Sequence, residues 1–134
     1  MAILTKDEAH ALLKKVLGYS KADECEVNLT GTYTSNVRYA RNAVSTSGSV
    51  NQTSLVVSSA FGKKLGIATI NEYDDASLEK VVRRAEELAR LAPENPEYVS
   101  ILGPQTYNDS HTYSASTAAV TTPMPPTSRR LAVR

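Results

Sequence analysis

The chain has 134 residues, of which 41% are hydrophobic and 22% charged, a composition typical of one folded domain rather than of a disordered chain. Fifteen basic and fourteen acidic residues leave a net charge of +1, which provides no bulk attraction to nucleic acid or to an anionic membrane. The single cysteine, Cys25, excludes an internal disulfide framework. The N-terminus has no signal-peptide pattern and no apolar run is long enough to cross a membrane, so we expect a cytoplasmic protein.

The first predicted element is an amphipathic helix over residues 6–17. Thr5 and Glu8 have the spacing of a capping box, in which each side chain binds an otherwise unpaired backbone amide. Gly18 suits the left-handed position just after a helix. The apolar face recurs at three- and four-residue spacing: Ala9, Leu12, Leu13, Val16 and Leu17.

The next fifty residues change to a period of two, which is typical of half-buried strands. Cys25, Val27 and Leu29 alternate with polar residues, and the glycine-containing stretch 61–64 predicts a turn. The connections between successive strands are short, which favours antiparallel pairing. We expect a meander of four or five strands, including segments around 37–39, 44–50, 52–60 and 65–70.

A second amphipathic helix follows, capped by Asp74 or Asp75 and ended by Pro93. Its predicted apolar stripe is Leu78, Val81, Val82, Ala85, Leu88, Ala89 and Ala92. Its other face carries opposite charges four residues apart, namely Glu79/Arg83, Arg83/Glu87 and Glu86/Arg90. The expected fold is therefore α+β with two layers, in which two helices cover the apolar face of an antiparallel sheet.

The predicted domain comprises residues 1–104. Residues 105–134 form a polar linker and a proline-containing tail, which we expect to be disordered. The two histidines, His10 and His111, have no zinc-binding spacing, and Cys25 is in phase with the core positions of its strand. The residues alone therefore indicate no catalytic site and no metal site.

The stretch 22–106 is similar to the N-terminal domain of TldD/PmbA proteins, a family of metalloprotease subunits also called modulators of DNA gyrase. The resemblance rests on an ordered set of segments with the predicted meander and second helix among them. These segments are residues 22–27 (ADECEV), 36–42 (NVRYARN), 62–71 (GKKLGIATIN), 88–96 (LARLAPENP) and 105–107 (QTY).

The resemblance implies a non-catalytic domain that helps to form a homo- or heterodimer of family subunits and the cavity through which an unfolded peptide reaches the active site. In the family, zinc is held by a His-Glu-x-x-x-His helix and a later cysteine in a C-terminal domain, which this sequence lacks. We therefore expect no cofactor and no activity from this chain alone. Four residues of the family-like stretch are candidates for facing the substrate: Asn36, Arg38, Tyr39 and Arg41.

The sequence stops resembling the family near Val120. One hypothesis for the tail is a slip of reading frame at this point, because the shifted frame permits an acidic, alanine-rich helix start. Two other functions stay open. The chain is alternatively a free-standing module that binds a subunit or an extended peptide by strand addition. Less favoured is a single-strand nucleic-acid binder that uses aromatic and arginine side chains on one strand, namely Tyr33, Arg38, Tyr39 and Arg41.

Overall fold

A computed structural model describes residues 4–103, 105–106, 108, 111 and 113–116. Within these residues the chain forms two helices and one antiparallel sheet with the strand order β1-β2-β3, so the α+β class is confirmed. Most of the predicted linker and tail, residues 105–134, lies outside the described residues. In chain order the elements are α1 (Lys6–Tyr19), β1 (Glu24–Ala40), β2 (Ala43–Phe61), β3 (Lys64–Ile70) and α2 (Asp75–Leu91). None of the helices among the described residues has the length and apolar character needed to span a membrane.

Helix α1 begins with the capping box that the sequence predicts. The Thr5 hydroxyl accepts from the Glu8 amide, and the Glu8 carboxylate accepts from the Thr5 amide at 2.8 Å. The predicted end is wrong, because Gly18 lies inside the helix and the C-cap is Ser20 in an extended conformation. Continuing the helix to Tyr19 adds an aromatic side chain to the residues that pack on the core.

The described residues form three strands rather than the four or five expected. The first two are long, with 17 residues in β1 and 19 in β2, and they absorb the segments that had been separated in the sequence. The physical reason is that no turn interrupts them: the described positive φ angles fall at Arg41, Asn42 and Gly62, all between strands. The threonine-rich stretch of β1 has good strand propensity and stays extended. Positive φ at both Arg41 and Asn42 is the geometry of a two-residue hairpin turn.

Strand β2 pairs antiparallel with β3, from Leu55 opposite Ile70 to Phe61 opposite Lys64. In this part of β2 the buried positions alternate, because Leu55 and Val57 point toward the helices. The Gly62 turn that joins the two strands matches the sequence prediction.

Helix α2 is capped by Asp74, whose carboxylate accepts from the Ser77 amide at 3.0 Å. It lies so close to β3 that a Cβ at Gly66 would collide with the backbone oxygen of Ala85 and the backbone nitrogen of Ala89. Glycine at this position therefore sets the distance between the helix and the sheet.

The core confirms that both helices cover the same face of the sheet. Val16 of α1 is buried in one cluster with residues of β2 and α2, and Leu12, Leu13 and Tyr19 pack against it. The fully buried members from the sheet and from α2 are Leu55, Val57, Leu78, Val82 and Ala85.

One acidic residue of α2 departs from its expected place on the solvated face. Glu86 is only 1% exposed. Its carboxylate accepts from the Lys21 amide at 2.6 Å and from the Arg83 guanidinium at 3.0 Å. The expected pair of Arg83 with Glu87 is also absent from the described ion pairs, where Glu87 instead meets Arg84 at 3.4 Å. The spacing of charges along α2 could not predict this burial, because it depends on the segment before β1, whose Lys21 amide lies against this side of α2.

The chain divides into two compact units. The first, the helix-backed unit, comprises residues 4–31 and 53–103 and holds the buried core. The second contains the far ends of β1 and β2, residues 32–52, which we call the hairpin arm, together with the described residues beyond 104. Most side chains of the hairpin arm are exposed, and only Ser35, Val37 and Val44 are half-buried.

Candidate functional site

The candidate substrate-facing residues all lie in the hairpin arm. Asn36, Arg38 and Tyr39 are exposed on β1, and Arg41 is exposed in the turn with a φ of 51°. Because side chains alternate along a strand, Asn36 and Arg38 share one face while Tyr39 points to the other. The structure therefore brings two of the four residues together on one strand face and places the others elsewhere.

The same alternation bears on the nucleic-acid hypothesis, which needs aromatic rings and arginines on one surface. Arg38 and Tyr39 are neighbours on β1 and face opposite ways. The nearby hydroxyls of Ser35 and Ser49 lower the pKa of the Tyr33 phenol. The four residues thus form no common stacking platform on the strand.

A second surface, which the sequence did not reveal, lies on the face of the sheet opposite the helices. Here a cleft of about 300 Å³ opens between strands and the segment that follows α2. We call it the outer-face cleft. Its lining residues are Glu24, Glu26, Ser58, Ala60, Leu65, Ile67, Tyr98, Val99 and Ile101.

One wall of the outer-face cleft is residues 95–101, which we call the strap. The Glu24 carboxylate holds it in place by accepting from the Tyr98 hydroxyl at 2.8 Å and from the Ile101 amide at 3.1 Å. At its start, the Asn95 amide donates to the Lys63 carbonyl at 2.9 Å. The sequence predicted only a connecting loop here, because no local pattern signals a contact between residues more than seventy positions apart.

The strap contacts change the acidity of both partners. The Tyr98 hydroxyl, followed by the Ile101 amide and the Ser100 hydroxyl, holds the pKa of Glu24 below its ordinary value of 4.5. The same bond to Glu24, with partial desolvation, raises the pKa of the Tyr98 phenol. Glu24 is therefore ionised near neutral pH and keeps the strap attached.

A smaller cavity of about 120 Å³ is lined by Leu4, Ala9, Leu29, Gly31 and Thr53. Pockets that bury a small-molecule ligand usually have about 300–1,000 Å³. This cavity is too small for such a ligand, so the outer-face cleft and the hairpin arm are the surfaces to consider.

A comparison with known protein families shows which family this domain matches. The model of the family described as PmbA/TldA metallopeptidase domain 1 matches residues 25–89, which run from β1 through β3 into α2. The chain carries the N-terminal domain of a TldD/PmbA protein. The resemblance seen in the sequence is thereby confirmed, and the match falls on the sheet and the helix that packs on β3.

Solved structures show the same fold for this TldD/PmbA domain. It is similar to TldE from Thermococcus kodakarensis, with a TM-score of 0.59 and 18% identity over 76% of this chain and 23% of that one. It is also similar to a putative modulator of DNA gyrase from Bacteroides thetaiotaomicron, with a TM-score of 0.64 and 16% identity over 87% of this chain and 28% of that one. The chain thus spans about a quarter of each of these proteins. No curated protein matches it.

The family name raises the question of a metal in the TldD/PmbA domain. Among the described residues, no group of three or more His, Cys, Asp or Glu side chains is placed to hold a metal ion. His10 is exposed on α1, His111 is exposed beyond the helix-backed unit, and Cys25 is half-buried against the core. These residues do not fit a zinc site, and no catalytic step is assigned to them.

Proposed function

We propose that this chain acts as the non-catalytic N-terminal domain of a TldD/PmbA-type zinc metalloprotease subunit. In that role it helps to form the subunit dimer and the cavity through which an unfolded peptide reaches the zinc. Proteolysis or peptide maturation is then an activity of the full-length subunit, whose metal-binding domain lies outside this chain.

The observation that carries this proposal is the position of the family match. It covers the sheet except for its first residue and most of α2, and these elements supply every buried residue of the core cluster except Val16. The similar solved proteins are about three times as long as this chain. A domain of this kind contributes a folded surface, while the chemistry belongs to the remainder of the subunit.

The proposed partner is a second TldD/PmbA-type subunit, either identical or related. One of the similar structures is a TldE, which supports a partner from the same family. The proposed location is the cytoplasm, supported by the use of a single cysteine, which is half-buried and unpaired with another cysteine.

The test mixes the purified chain with a full-length TldD-type subunit and, separately, with a full-length TldE-type subunit. We expect sedimentation velocity to show a stoichiometric complex with at least one of them. The chain alone, supplied with zinc, should not hydrolyse a fluorogenic peptide. Zinc-dependent hydrolysis by the chain alone, or failure to associate with either subunit, would contradict the proposal.

A matched pair of variants locates the contribution of the hairpin arm. Arg38→Ala and Arg84→Ala each remove one exposed arginine, the first from β1 and the second from α2. If the arm faces the peptide path, Arg38→Ala should lower peptide hydrolysis by the complex while Arg84→Ala leaves the rate unchanged. Equal effects of the two variants would remove the arm from the proposed cavity.

A further inference from the structure

The outer face of the sheet carries apolar side chains that the fold leaves open to solvent. Ile67 is 52% exposed, Ile101 48% and Leu65 36%, and all three line the outer-face cleft. Val99 in the strap and Leu102, which directly follows it, are also exposed. Contiguous apolar surface of this kind on a folded domain marks a binding surface more often than chance.

Specific hydrogen bonds of the fold hold the walls of the cleft in place. Its strap is fixed by hydrogen bonds to Glu24 and to the Lys63 carbonyl, so the cleft wall stands in place before any partner arrives. A preformed wall removes part of the ordering cost of binding. The volume of about 300 Å³ also reaches the lower end of the range for binding pockets.

The charged side chains that line the cleft, among the described residues, are both acidic. Its two carboxylates are Glu24 and Glu26, and among the described residues its lining includes no lysine, arginine or histidine. Glu24 is occupied by the strap. Glu26 is exposed, and one of its oxygens accepts from the Asn28 side-chain amide at 2.7 Å. Glu26 therefore offers an acidic rim beside an apolar floor, which complements a group that is both apolar and basic.

The neighbouring strand favours a polypeptide as the occupant. In the described sheet β3 is an edge strand, paired with β2 on one side only. Leu65 and Ile67 of β3 line the cleft, so its open backbone edge adjoins the apolar floor. An extended segment can bind such an edge with its main chain while its alternate side chains enter the cleft.

We propose that the outer-face cleft binds an extended polypeptide segment of another protein. The segment places apolar side chains against Leu65, Ile67 and Ile101 and a lysine or arginine beside Glu26. This site does not depend on the proposed subunit role, because it is formed entirely by the helix-backed unit of this chain.

The test is a titration of the full isotope-labelled chain, followed by NMR, with two short capped peptides. One alternates valine and lysine, and the other has glutamate in place of lysine. We expect the lysine peptide to shift the amide signals of β3 and the strap and to bind about threefold to fivefold more tightly than the glutamate peptide. An exposed ion pair contributes up to about 1 kcal/mol, which corresponds to this ratio.

Three variants assign the binding to the cleft. Glu26→Gln should weaken binding of the lysine peptide about threefold, through loss of the charge. Ile67→Ser should weaken binding of both peptides about tenfold, through loss of apolar contact. Val50→Ser alters an exposed β-branched residue of the hairpin arm and should leave both affinities unchanged.

Other outcomes overturn the proposal. Equal affinity for the two peptides, no binding of either, or shifts confined to residues outside the cleft would each contradict it. If the same signals of β3 and the strap move with protein concentration in the absence of peptide, the occupant is a second copy of this chain and not a foreign segment.

Discussion

The helix-backed unit and the hairpin arm share the strands β1 and β2, yet the two regions bury their side chains to different extents. In the helix-backed unit, β2 alternates buried Leu55 and Val57 with partly exposed residues, because α2 covers one face. In the hairpin arm the same strand exposes nearly every side chain, and Val50 is 62% exposed. Both regions of β2 are therefore extended strand, but only the region in the helix-backed unit buries its side chains.

This difference has a consequence for stability and for function. A core residue of the helix-backed unit is constrained by packing on several sides. The hairpin arm depends mainly on backbone pairing and on local polar contacts such as the Ser45 hydroxyl bond to the Arg38 carbonyl at 3.1 Å. A two-stranded ribbon gains little stability by itself. Side-chain packing therefore constrains the arm little, while the helix-backed unit keeps the domain folded.

The largest expected effect concerns the glycines of the two regions. Gly66→Ala should lower the free energy of unfolding by about 3 kcal/mol, because the added methyl meets the backbone of α2 and the helix must move away from the sheet. Gly48→Ala in the arm approaches only the Asn36 side-chain oxygen, at 3.2 Å, which can rotate away. Its effect should stay within about 0.5 kcal/mol.

Urea denaturation midpoints of the two glycine variants measure this difference. Equal midpoints would mean that α2 and β3 are not in the close contact described here.

A second comparison uses one substitution at two positions of the same strand. Val57→Ala should cost about 2 kcal/mol, since Val57 is fully buried and the lost methyl groups leave a cavity. Val50→Ala should cost less than about 0.5 kcal/mol, because its side chain is mostly in water. Thermal and urea unfolding provide the measurement, and similar losses at both positions would remove the distinction between the regions.

A third comparison concerns two glutamates of α2. Glu86→Gln should cost about 1.5 kcal/mol, because the buried carboxylate accepts charge-assisted bonds from Arg83 and a backbone bond from Lys21. Glu87→Gln removes only an exposed pair with Arg84 and should cost less than about 0.5 kcal/mol. If Glu87→Gln proves the more damaging in chemical denaturation, the burial of Glu86 is wrong.

The smallest effect is local and depends on pH. The pKa of Glu24 is lowered by its bonds to the strap, so its contribution is complete above the ordinary value of 4.5 and is lost as pH falls through the lower folded value. We expect the Ile101 amide signal to move, and the strap to loosen, on acidification below that range. Glu24→Gln cannot ionise, so its Ile101 signal should lack this transition; an unchanged transition in the variant would assign it to another group.

Much of the fold could be predicted because its signals are local. The capping box of Thr5 and Glu8 and the apolar stripe of α2 each depend on residues a few positions apart, and both are confirmed. The strand count is not confirmed, because the sequence pattern separates the segments 25–29 and 37–39, and likewise 44–50 and 52–60, whereas the residues between them stay extended within β1 and β2.

The candidate surfaces were less accessible to sequence reasoning. The placement of the strap beside Glu24 depends on Tyr98, and no periodic pattern links two positions that far apart. The burial of Glu86 has the same origin, because its partner amide belongs to Lys21. The family resemblance, by contrast, rests on an ordered series of short segments, and the match to the family model confirms it.

The most direct test of this account is amide hydrogen exchange of the intact chain, resolved along β2. We expect amides of residues 55–61, which lie between two strands and beneath α2, to exchange only on global unfolding. Amides of residues 43–52 should exchange at least about a hundredfold faster through local opening. Uniform protection along the whole of β2 would show that the hairpin arm has a stabilising core of its own. It would contradict the division between a packed region that keeps the domain folded and an arm that side-chain packing constrains little.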